Sequence, residues 1–80
     1  MRFGGPTKRS VTIAGHETSI SLEAVFWEAL ERAASDEALP FNALIARIDA
    51  ARIEAVRPPN LASAIRQWLL TRAIDDRGGE

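Results

Sequence analysis

Polar and apolar residues alternate over two short stretches near the front of the chain, then recur at three- and four-residue spacing through most of the remainder. In ETSISL, residues 17–22, Thr18, Ile20 and Leu22 fall on one side of an extended strand and Glu17, Ser19 and Ser21 on the other, because successive side chains alternate. Ser10 to Ile13 alternates in the same way and is rich in β-branched residues. Ala14, Gly15 and His16 form a tight connection between the two runs, with Gly15 free to take a positive φ. A lone strand of this length leaves its backbone groups unsatisfied, so ETSISL needs a partner. That partner is either the upstream run, as a hairpin, or a strand of another chain across a dimer axis.

Helical spacing takes over at about Leu22, with Ser21 as the expected N-cap and Glu23 near the positive end of the dipole. Leu22, Val25, Phe26, Ala29, Leu30 and Ala33 define a stripe to be buried, while Trp27 lies off it and reads as packing against another element or subunit. Pro40 opens a second helix whose stripe is Phe41, Leu44, Ile45, Ile48 and Ala51 or Arg52, and Pro58-Pro59 require it to stop by Arg57. Asn60 is the expected cap of a third helix presenting Leu61, Ile65, Trp68, Leu69 and Arg72. The fold class that follows is mainly α with a short β element.

Length changes the picture more than composition does. Eighty residues make one small domain, which buries only roughly 60% of its unfolded surface. With no cysteine to form a disulfide, a second copy is the most economical support, so a homodimer is expected. Residues 1–7 read as a flexible N-terminal arm, residues 8–74 as the domain and residues 75–80 as a disordered tail. The absence of cysteine, of a signal-peptide core and of any membrane-length apolar run points to a cytoplasmic protein that does not enter a membrane.

The net charge of −1 conceals a basic front, with Arg2, Lys8 and Arg9, followed by an acidic first helix. Catalysis needs convergent groups, and the inventory is thin. His16 is the sole histidine and reads as a loop residue; Asp75 and Asp76 sit in the expected tail; neither glycine pair has the setting of a phosphate loop. The chain is therefore expected not to be an enzyme and to carry no metal and no cofactor. Asn42, near the start of the second helix, is placed either to cap it or to sit beside a bound anion.

The order of alternating strand, helix, turn and helix in ETSISLEAVFWEALERAASDEALPFNALIARIDAAR resembles the ribbon-helix-helix family. KRSVTIAGHETSISLE and the later NLASAIR sharpen the resemblance toward a subgroup seen mainly in alphaproteobacteria. The resemblance implies a dimer in which strands of two chains pair as a ribbon that enters the major groove of double-stranded DNA. It makes Glu17, Ser19 and Ser21 the residues facing the bases, and it gives the start of the second helix, Phe41 and Asn42, a phosphate to hold through backbone N–H groups. Lys8 and Arg9 would add phosphate contacts. Glu17 departs from the basic residue the subgroup often carries, and Pro40 from a usual serine or threonine. Ala38 stands where glycine often ends the first helix, so a left-handed cap there is strained by around 1 kcal/mol or more. These departures leave the fold expectation intact and lower the expected DNA affinity. The alternative is a protein partner: an interaction or antitoxin-like module of the same fold with weak or no DNA binding, anchored by Trp27 or Trp68.

Overall fold

The alternating segments pair with each other. In the computed structural model, which describes residues 3–78, β1 (Pro6–Ile13) and β2 (His16–Glu23) form an antiparallel hairpin. Its register runs from Ile13 opposite His16 to Pro6 opposite Glu23. The loop is only Ala14-Gly15, with φ of 50° and 82°. Two positive φ values in a two-residue connection give the twist that flanking strands require. His16 is thus the first paired residue of β2 rather than part of the turn.

ETSISL therefore finds its partner in the chain's own upstream run. The hairpin meets the backbone requirement of one edge of ETSISL within a single chain. β1 also starts earlier than the alternation suggests, taking in Pro6 and Thr7, which read as arm residues. Met1 and Arg2 of that arm, and Gly79 and Glu80 of the tail, lie outside the described residues.

Three helices follow: α1 (Ala24–Asp36), α2 (Phe41–Ile53) and α3 (Leu61–Gly78). Leu22 completes β2 instead of opening α1, and Ser21 stays on the strand rather than acting as a cap. Glu23 takes the cap position without a side-chain capping bond. Within α1, Trp27, Leu30, Ala33 and Ala34 are buried, while Val25 is exposed. At its far end α1 closes in a Schellman arrangement, with Leu39 N donating to Ala34 O at 2.9 Å and Ala38 N to Ser35 O at 3.1 Å. Ala38 has a φ of 54°, the left-handed conformation expected of it. Ala43 and Leu44 both donate to the Pro40 carbonyl, starting α2 as the proline predicts.

The expected cap of α3 is formed, with Ser63 N donating to Asn60 Oδ1 at 2.8 Å. The helix continues through Asp75 and Asp76, residues read as tail. It packs on its own chain: Ala64, Ile65 and Leu69 join one core with Val11, Ile20 and Leu22 of the hairpin, Leu30 of α1, and Leu44, Ile45 and Ile48 of α2. The inner face of the hairpin thus lies on the helices, and its outer face is turned away from them. Among the described residues, no helix is long and apolar enough to cross a membrane.

Candidate nucleic-acid interface

The outward face of the hairpin carries Lys8, Ser10 and Thr12 of β1 opposite Ser21, Ser19 and Glu17 of β2, and all six are exposed. The alternation that buries Val11, Ile20 and Leu22 puts these residues on the other side. Glu17, Ser19 and Ser21 are therefore brought together as a group, with Lys8 beside Ser21. Ser10 Oγ donates to Glu17 Oε1 at 3.1 Å, so the one carboxylate of this face already has a partner. Formally the face is neutral, one Lys8 against one Glu17, and most of it is hydroxyl.

Sequence alone does not single out Ser10 and Thr12 as members of this face. The signal that identifies them is the register: a two-residue loop fixes Ser10 opposite Ser19 and Thr12 opposite Glu17.

Arg9 is placed differently from the expectation that grouped it with Lys8. It lies on the inner face, half-buried, opposite Ile20. Its guanidinium sits 4.6 Å from the Trp27 ring centroid and 5.3 Å from that of Phe41, and Nη1 bonds Glu31 Oε1 at 3.0 Å. Two aromatic faces and a carboxylate satisfy the cation within the domain. The physical reason is parity: neighbours in a strand point to opposite faces, so Lys8 outward requires Arg9 inward.

Phe41 and Asn42 occupy the first turn of α2, where N–H groups lack intrahelical acceptors. Asn42 is exposed, whereas Phe41 is half-buried with its ring 6.2 Å from that of Trp27. Arg9 links this helix start to the inner side of the ribbon.

Glu23, where β2 meets α1, accepts from both Nε and Nη2 of Arg66, at 3.1 and 3.0 Å. Its own backbone N–H, and then the Arg66 guanidinium, hold its carboxyl below the ordinary glutamate range. The pair ties the base of the ribbon to α3 and leaves neither charge free for a ligand.

A family model described as a ribbon-helix-helix domain matches residues 6–73, most of the chain. No curated protein and no solved structure matches.

Proposed function

The chain belongs to the ribbon-helix-helix domain family, whose domains are non-catalytic modules that bind DNA or protein, and we propose that it is a homodimeric, sequence-specific DNA-binding transcriptional regulator that presents its ribbon to the major groove. The observation that carries the reading is the outward face of the hairpin. It consists of short, exposed, hydrogen-bonding side chains on a two-stranded ribbon, a width the major groove admits. Ser10, Thr12, Ser19 and Ser21 can donate to or accept from base edges, and Glu17 can accept from cytosine N4. Lys8 and the N–H groups at Phe41 and Asn42 supply phosphate contacts. With so few cations the binding is weak or cooperative, and the regulator acts in the cytoplasm.

Titrating salt against binding to duplex DNA tests this. Binding at about 50 mM salt that weakens with a shallow log-log slope is expected. No binding to any duplex under those conditions refutes it.

Two observations favour a second reading, a protein-interaction or antitoxin-like module. Arg9 is drawn away from the ribbon face by Trp27, Phe41 and Glu31, and Leu70 and Ile74 of α3 stand exposed. Trp27 is buried and cannot serve as an anchor, whereas Trp68 is half-buried. Affinity capture of a protein partner, abolished by Trp68→Ala, is the outcome that reading requires.

A further inference from the structure

α3 is apolar on two sides. Through Ala64, Ile65 and Leu69 it enters the core, yet Leu70 is 62% and Ile74 59% exposed on the side turned to solvent. These two are four residues apart, so one stands a turn above the other. Gln67 and Arg77, three residues before and after the pair, continue the same stripe and are exposed as well. Gln67 Nε2 donates to Ser63 Oγ at 3.0 Å, which leaves the amide carbonyl to accept from elsewhere. Arg77 is a donor only. Its neighbour Asp76 is drawn to Arg72, at 3.7 Å. Along the helix the stripe therefore reads acceptor, apolar, apolar, donor.

We infer that this stripe is a contact between copies of the chain, α3 against α3 in antiparallel orientation, through which neighbouring DNA-bound dimers assemble cooperatively. It rests on the DNA-binding function proposed above and supplies the contact that cooperative binding needs. The pattern is its own complement under reversal. Leu70 and Ile74 lie two residues either side of position 72, and Gln67 and Arg77 five. A two-fold axis at that level lays Leu70 on Ile74 of the second copy and Arg77 on the carbonyl of its Gln67, each twice. Parallel packing would instead set Arg77 against itself, which like-charge repulsion opposes. The other arginine on this side, Arg66, already engages Glu23 and the Phe26 ring, so Arg77 is the cation the stripe presents.

Gln67, Leu70, Ile74 and Arg77 are few beside the roughly 20–30 residues a side of a stable complex. Alone, the contact does not hold copies together at low concentration. Two proteins on one duplex meet at an effective concentration on the order of millimolar, and there a contact of this size is sufficient. The outward face of the ribbon is left free, because it belongs to β1 and β2 while the stripe lies on α3.

The test uses the full chain, with far-UV circular dichroism to establish that each variant keeps its helices. Mixed-sequence duplexes of about 15 and about 60 base pairs, room for one dimer and for several, are titrated at about 50 mM salt. The wild type should bind the long duplex with a Hill coefficient above unity and the short one without cooperativity. Leu70→Ala combined with Ile74→Ala should weaken long-duplex binding about tenfold and leave short-duplex binding unchanged. Gln67→Arg sets two arginines together and should also abolish the cooperativity. Adding Arg77→Gln to it returns the net charge to that of the wild type and should restore the cooperativity. Sedimentation equilibrium without DNA at about 1 mM protein, matching the effective concentration on a duplex, should rank the same variants in the same order. Self-association indifferent to the paired alanines, or not restored by the exchange of Gln67 and Arg77, overturns the proposal and gives the face to a different protein. Long-duplex binding that shows no cooperativity overturns it equally. Self-association that follows the exchange while no duplex is bound refutes the DNA-binding reading and leaves the contact standing.

Discussion

Trp27 Nε1 donates a hydrogen bond to the backbone carbonyl of Thr7 at 2.9 Å, across twenty positions of sequence. The indole is buried, 4% exposed, with the Phe41 ring and the Arg9 guanidinium both beside it. One side chain of α1 thus fixes the first half of β1 and the start of α2 together. Trp27→Phe removes the hydrogen bond and part of the volume, at an expected cost of about 2 kcal/mol. Trp27→Ala should cost about 3–5 kcal/mol. Urea unfolding followed by circular dichroism measures both; a cost below about 0.5 kcal/mol for Trp27→Ala would mean the indole does not hold the ribbon.

Two alanines occupy left-handed backbone, Ala14 with φ 50° and Ala38 with φ 54°. Glycine at either site relieves steric strain and gives back part of the gain as unfolded-state entropy, leaving about 0.5–1 kcal/mol of stabilisation each. The sites belong to separate connections, so Ala14→Gly and Ala38→Gly should add in the double variant. A denaturation midpoint that falls in either single variant contradicts this. Gly15→Ala should act the other way, since its φ of 82° strains any Cβ although nothing lies within 4 Å of one.

Glu23 bears on acid stability. Its carboxyl is held below the ordinary glutamate value by its backbone N–H and by Arg66, so the folded state prefers the ionised form. The contribution is fully present above the unfolded-state value of about 4.3 and is lost as pH falls below it through the lower folded-state value. Wild-type stability should decline across that interval by more than that of Glu23→Gln. Parallel curves for the two proteins down to about pH 3 would exclude the linkage.

Lys8 and Arg9, adjacent in sequence, should separate in experiment. Arg9→Met leaves Glu31 unpaired and removes the cation from Trp27 and Phe41, an expected destabilisation of about 1 kcal/mol. Lys8→Ala should leave the unfolding free energy within about 0.5 kcal/mol of the wild type. It should also reduce the salt slope of DNA binding by roughly 0.9 for each phosphate that Lys8 neutralises. Equal effects of the two substitutions on the salt slope would place both cations on the DNA.

The helices are legible in the sequence because their signals are local. Pro40, the capping Asn60 and the Pro58-Pro59 break each act within a few residues, and Ala38 takes the left-handed cap that its position implies. The extent of the ribbon is not, because Pro6 to Arg9 carry no hydrophobic alternation and become strand by pairing with residues 20–23. Trp27 lies off the expected stripe for a related reason. Its burial comes with contacts to Thr7 and Arg9 of β1 and to Phe41 of α2, which a helical wheel of α1 alone does not contain. Arg9 reads as a DNA-binding cation from charge alone; strand parity, known only once the register is set, turns it inward.

Because β1 and β2 are joined by two residues and paired from the turn outward, the ribbon closes through pairings short in sequence. Such a hairpin forms on the order of 1–10 μs, at a rate independent of protein concentration. A ribbon built from two chains would instead wait for a bimolecular encounter. Here the strand pair forms within one chain, so its closure needs no second copy.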